Sequence, residues 1–76
     1  MNYLKIAEKW RRIQTEPHTI SGIVLIWEGQ VYGWKDSLRD PNHERPNAIA
    51  VDENGRVFRA EGGNDYDGAE RWVSIG

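Results

Sequence analysis

Cysteine is absent from this chain of 76 residues, so neither a disulfide framework nor a thiolate metal site can staple it. No apolar run approaches the ~20 residues that a membrane span needs, and no signal-peptide pattern opens the sequence. Both absences point to a cytoplasmic protein away from membranes. A basic surplus is missing too: ten Lys and Arg against twelve Asp and Glu leave a formal net charge of −2, too acidic for a nucleic-acid footprint. The usual marks of catalysis are also lacking, with no G-x-S-x-G elbow, no H-E-x-x-H and no phosphate-cradling glycine loop. His43-Glu44 could supply a general base, but no motif links it to Ser21, Ser37 or Ser74, and so short a chain hardly encloses a deep pocket. The expectation is a non-enzyme that carries no cofactor.

What the sequence does have is aromatic surface. Four Trp, three Tyr and one Phe offer roughly 150–250 Å² of burial each, which matters in one small domain spanning residues 1–76. A chain of this size buries only about 60 % of the surface its unfolded form exposes. Charge is unevenly spread. Lys5, Lys9, Arg11 and Arg12 make the start basic, while Glu61, Asp65, Asp67 and Glu70 gather negative charge near the end, a local patch suited to a basic partner.

The chain is organised around Gly22 to Lys35, GIVLIWEGQVYGWK. Two β-branched, aromatic-rich runs around a glycine-bearing break predict a hairpin. The position of Gly29 suits a three-residue loop of Trp27, Glu28 and Gly29; a two-residue primed turn would force Glu28 to positive φ, which a Cβ resists. That register places Ile23, Leu25 and Val31 on one face and Val24, Ile26, Tyr32 and Trp34 on the other.

Before the hairpin, Asn2 caps a helix predicted from Tyr3 to Gln14. Tyr3, Ile6, Ala7, Trp10 and Ile13 form its apolar stripe, Arg11 and Arg12 sit in its last turn, and Pro17 ends it. Thr15 to Ser21 reads as a connector, with His18 a surface residue. After the hairpin, Asp36 to Arg45 (DSLRDPNHER) reads as a loop carrying Arg39, Asp40, His43, Glu44 and Arg45. Loops of this length in small domains are often functional; a solvated crossover with weak internal ion pairs is the bland alternative.

Ala48–Asp52 and Arg56–Ala60 flank Glu53-Asn54-Gly55 as a second hairpin, with Gly55 left-handed. Val51 then faces Val57 and Ala50 faces Phe58. In the tail, Asp67 with Glu70 fits a capping box for a short helical turn, and a fifth strand over Trp72–Ile75 competes with it. Asp65, Asp67 and Gly68 match part of a calcium-loop pattern, but Gly63 and Ser74 stand where its first and last ligands belong. An acidic, partner-facing loop is the better reading, and no metal is expected.

These elements predict an α+β domain, an N-terminal helix on a four-stranded antiparallel sheet of two hairpins. One helix covers one side of such a sheet. Its stripe suits the face bearing Ile23, Leu25, Val31, Ile49, Val51 and Val57, leaving Val24, Ile26, Tyr32, Trp34 and Phe58 bare unless the tail or a second chain covers them. Tyr, Trp and Arg are enriched at the energetic centres of interfaces. The candidate binding residues are therefore Tyr32 and Trp34, flanked by Arg39, Asp40, His43 and Arg45 on one side and Asp65, Tyr66 and Asp67 on the other. Two other readings stay open. One is a single-stranded nucleic-acid binder using Tyr32, Trp34, Phe58, Lys35 and Arg59 as a stacking face, disfavoured by net acidity. The other is a homodimeric assembly module.

The segments Gly33-Trp34-Lys35-Asp36-Ser37-Leu38-Arg39-Asp40-Pro41 and Glu61-Gly62-Gly63-Asn64-Asp65 give the chain, over about Gly22 to Val73, its likeness to a class. It resembles small anti-defence proteins of phages and mobile elements, the antirestriction proteins of the ArdR type and, more broadly, anti-CRISPR inhibitors. The resemblance implies a partner in a host defence complex, occupied rather than chemically altered, and no catalytic residue. A net charge of −2 is too small for wholesale DNA mimicry, which favours steric blocking of a protein surface.

Overall fold

The computed structural model describes residues 2–15 and 21–76. Among the described residues one α-helix, α1 (Tyr3–Ile13), precedes five strands, β1 (Ile23–Trp27), β2 (Gln30–Lys35), β3 (Ile49–Val51), β4 (Val57–Glu61) and β5 (Arg71–Ser74). The strands form one antiparallel sheet in the order β2-β1-β3-β4-β5. The fold is thus α+β, with five strands where the sequence predicts four. Among the described residues no helix is long and apolar enough to cross a membrane.

Asn2 caps α1 as its residue type predicts, its Oδ1 accepting the Lys5 backbone N–H at 3.1 Å. The predicted stop at Pro17 and the position of His18 lie outside the described residues. Ala7 is buried and Tyr3, Ile6 and Trp10 pack beside it, but Ile13 is 69 % exposed and leaves the stripe. Arg11 ties the end of the helix to the sheet, donating to the carbonyls of Gly22 (2.9 Å) and Val51 (3.1 Å). Burial holds its pKa below the ordinary guanidinium value.

The first hairpin departs from its predicted register. Trp27 pairs with Gln30, and both Glu28 (φ 51°) and Gly29 (φ 81°) are left-handed. This is the two-residue primed turn whose twist matches that of the flanking strands; Glu28 accepts the strained φ that the sequence reading rejected. Farther along, Ile26 pairs with Val31 but Leu25 with Gly33, so Tyr32 is an extra, bulged residue on β2. A one-residue slip exchanges faces. Val24 and Ile26, not Ile23 and Leu25, lie under the helix with Val31, Trp34, Ile49, Val51 and Val57.

The second hairpin forms as predicted. Val51 pairs with Val57 and Ala50 with Phe58, Gly55 is left-handed (φ 84°), and Asp52 Oδ1 accepts the backbone N–H of Asn54 (2.9 Å) and Arg56 (2.8 Å). The tail is a strand. Gly68, at φ 86°, halts the helical turn that Asp67 and Glu70 predict, and β5 pairs along β4.

The sheet's second face, left open in the sequence reading to a cover by the tail or by a second chain, is covered within the chain. Ile23, Leu25 and Ala50 are buried there with Leu38, Phe58 and Trp72 beside them. Ala48, Ala60 and Ala69 form an adjoining cluster with Trp27 and Trp72. Leu38 and Ala69 come from the connections β2–β3 and β4–β5, so the chain covers this face with its own loops.

Candidate functional site

The two loops meet at one corner of the molecule. The β2–β3 connection contains a single 3₁₀ turn, Pro41–His43, entered through Asp40 at φ 49°, and is fixed by Glu44, which is only 7 % exposed. Glu44 Oε2 lies 2.7 Å from Lys35 Nζ, and Glu44 Oε1 accepts the Tyr32 hydroxyl at 2.5 Å. Lys35 Nζ also donates to the carbonyls of Arg39 (3.1 Å) and Asp40 (3.4 Å). A buried carboxylate is costly unless it is paired and hydrogen-bonded, and here both oxygens have partners. Burial, then the hydrogen bond to Glu44 and its charge, push the Tyr32 phenol well above its ordinary pKa.

Outside this clamp, Arg39 bonds Asp40 Oδ2 (2.6 Å) and Asp36 Oδ1 (3.0 Å). Its guanidinium holds both carboxyls below the usual carboxylate range. The three side chains are solvated, so the pairs shape the loop more than they stabilise it. His43 Nδ1 stands 3.9 Å from Asp40 Oδ2. Arg45 lies over the Trp27 ring, 4.6 Å from its centroid, in cation–π geometry. Trp27, Tyr32, His43, Glu44 and Arg45 line a shallow cleft of about 330 Å³.

The second loop is a tight knot. Asn64 Oδ1 accepts the backbone N–H of Tyr66 (2.9 Å) and Asp67 (2.7 Å), and Asn64 Nδ2 donates to Asp67 Oδ2 (3.1 Å). Main-chain bonds between Asn64 and Gly68 close it at 2.9 and 3.3 Å. Tyr66, at its apex, is 96 % exposed. The knot docks on the first loop: Ala69 N–H donates to the Glu44 carbonyl at 2.8 Å, and a Cβ on Gly68 would run into the Asn42 carbonyl.

Of the residues predicted from sequence, Tyr32, Arg39, Asp40, His43 and Arg45 therefore share one loop and its neighbouring strand, and Asp65, Tyr66 and Asp67 sit on the loop docked against them. Trp34 does not join them. Its indole N–H donates to the Ser21 carbonyl at 2.8 Å, and its ring packs in the helix-side cluster. With Trp34 on one face and Phe58 in the cluster of the other, the stacking platform of the nucleic-acid reading is not assembled. Three residues with key positions here, Glu44, Lys35 and Trp27, are not among the candidate binding residues read from sequence, although Glu44 figures there as a general base and Lys35 in the nucleic-acid reading. The only signal was a Glu in a loop of mixed charge (Asp36, Arg39, Asp40 and Arg45), which does not reveal burial. Among the described residues no group of three or more His, Asp or Glu side chains is placed to hold a metal ion. Comparison with protein-family models, with curated proteins and with solved structures gave no match.

Proposed function

We propose that this chain is a non-catalytic protein-binding module that inhibits a bacterial defence complex, restriction or CRISPR interference, by occupying a protein surface, as a product of a phage or mobile element would. The observation that carries the binding reading is Tyr66, 96 % exposed on a loop whose backbone is held by Asn64. An aromatic side chain on a preorganised loop loses little entropy on docking, and tyrosine is a frequent anchor at interfaces. Asp65 and Asp67 beside it favour a partner pocket rimmed by Arg or Lys. The defence target comes from the sequence resemblance. A non-catalytic role agrees with Glu44, the one buried carboxylate among the described residues, having both oxygens engaged by Lys35 and Tyr32.

The test is a paired capture and plating experiment in a bacterium with active restriction and CRISPR systems. The wild-type chain is expected to enrich subunits of one defence complex and to raise phage plating. Tyr66→Ala should lose both effects while its thermal midpoint stays unchanged, because the side chain packs on nothing. Equal capture and equal plating by wild type and Tyr66→Ala would refute the anchor. Unchanged plating with the wild type would refute the inhibitor.

A further inference from the structure

The two edges of the sheet are unlike. On β2, the Tyr32 bulge and Gly33 break the regular edge, a common way of discouraging another strand. On β5, the run Trp72-Val73-Ser74 has no proline, no charged residue and no register shift against β4. Backbone directions on this edge follow from the ladder. Ala60 bonds towards β3, donating to the Ala48 carbonyl (2.9 Å) and accepting from the Asn47 N–H (2.7 Å). Arg59 and Glu61 must then face β5, where they pair with Val73 and Arg71, and Ile75 N–H continues the pattern onto the Val57 carbonyl (2.8 Å). By alternation, Trp72 and Ser74 aim their N–H and C=O groups away from the sheet.

We propose that β5 is a pairing edge for a second copy of this chain, running antiparallel about a twofold axis at Val73. In that register Trp72 of each copy exchanges two hydrogen bonds with Ser74 of the other, so all four outward groups on each strand segment are used. The side chains are complementary in size. On one face the large Trp72 stands opposite the small Ser74. On the other, Val73 meets its own counterpart, and the alkyl stem of Arg71 lies opposite Ile75, which is 39 % exposed. No like charges face one another. A second copy fits better than an unrelated strand because this one sequence supplies both halves of every pair. The helix packs chiefly on β1, β2 and β3, and its first turn comes near only the end of the edge, at Ile75 and Gly76. A short strand pair buries less than the ~1,200–2,000 Å² of a standard interface, so the dimer is weak, with a dissociation constant on the order of 100 µM. The inference is independent of the Tyr66 corner.

The chain lacks cysteine, which makes single-cysteine variants clean reporters. A non-hydrogen-bonded antiparallel pair has Cα atoms about 4.5 Å apart, within disulfide range. At about 100 µM, oxidised Val73→Cys should form a covalent dimer roughly tenfold faster than a control, Asn54→Cys, in the distant β3–β4 turn. Sedimentation of the wild type should show its mass rising from 8.8 kDa towards twice that with concentration. Ser74→Pro removes an outward N–H without touching the β4 ladder and should stay monomeric with near-ultraviolet dichroism unchanged. If that variant fails to fold, Val73→Lys, which sets two ammonium groups at the axis, should weaken the dimer and regain it in high salt. A wild type that stays at 8.8 kDa up to about 1 mM, or equal crosslinking of the two cysteine variants, overturns the proposal. So does a monomer whose Trp72 and Ser74 amides gain exchange protection only when a different protein is added.

Discussion

Replacing Glu44 with alanine should be the most damaging single change at the candidate site. The substitution strands the Lys35 ammonium, whose side chain is 12 % exposed, and leaves the Tyr32 hydroxyl without its acceptor. Breaking a buried ion pair from one side costs about 3–5 kcal/mol. Lys35 keeps two carbonyl acceptors, at 3.1 and 3.4 Å, so about 2–4 kcal/mol is the better figure here. A chain this short has a total stability of roughly 4–11 kcal/mol, so the variant approaches the edge of folding. Urea unfolding followed by tryptophan fluorescence reads the change directly. With a slope of about 1 kcal/mol per molar urea, the midpoint should fall by roughly 2–4 M.

Two further variants separate the parts. Tyr32→Phe alone should cost about 1–2 kcal/mol and almost nothing once Glu44 is already alanine, because the two side chains share one bond. Lys35→Met combined with Glu44→Gln should recover much of the loss, since a neutral pair of similar volume avoids the charge burial. A midpoint shift equivalent to less than about 0.5 kcal/mol for Glu44→Ala would refute the reasoning, as it would mean that water reaches the clamp freely.

Tyr32 also makes stability depend on alkaline pH. Its folded pKa is raised, so above the ordinary tyrosine value of about 10 the unfolded chain gives up the proton first and stability falls as pH rises; an alkaline series of urea midpoints should slope downward, and Tyr32→Phe should flatten it. Gly68→Ala should cost more than about 2 kcal/mol, because the new Cβ meets the Asn42 carbonyl at φ 86°. Gly55→Ala, at φ 84° with only Leu4 near, should cost about 1 kcal/mol, and equal losses would argue against the docking of the two loops. Trp34→Ala should lower stability by about 2–4 kcal/mol as a core truncation, and Trp34→Phe by about 1 kcal/mol for the lost bond to the Ser21 carbonyl; unfolding curves that do not move would mean its ring is not packed as described.

Local rules carried the sequence reading a long way. The cap at Asn2, the length of α1 and the left-handed Gly55 turn each depend on neighbours within four residues, and each is present. The first hairpin failed because two local preferences compete. A Cβ disfavours left-handed Glu28 by about 1–2 kcal/mol, while strand twist favours the primed turn, and the ladder formed with β3 on the other side of β1 decides between them. No window of the sequence contains that ladder. The bulge at Tyr32 was hidden for the same reason, since it reconciles the turn's register with that of Leu25–Gly33. At the site, the loop residues were legible as polar, aromatic and charged types, whereas the burial of Glu44 required knowing that Lys35 and Tyr32 would both reach it.

The alanines explain why the second face is closed by loops rather than by a helix. Ala48, Ala50, Ala60 and Ala69 are at most 3 % exposed, and the first three leave a shallow bed at the sheet face on which irregular backbone can lie close. In the fold, Ala48, Ala50 and Ala60 are the seat of the β2–β3 and β4–β5 connections, the second of which brings Ala69 onto them. This divides the corner into two sets of residues. Ala60, Gly68 and Glu44 hold the loops down, while Tyr66, His43 and Arg45 are exposed, His43 beside Asp40 and Arg45 over the Trp27 ring. Overpacking the bed with Ala60→Leu should cost about 1–3 kcal/mol and weaken partner binding through displaced loops. Tyr66→Ala should weaken binding with the unfolding curve unmoved. If Ala60→Leu destabilised the fold but left partner affinity intact, the loops would not need their seat to bind, and preorganisation of the corner could not be the source of its affinity.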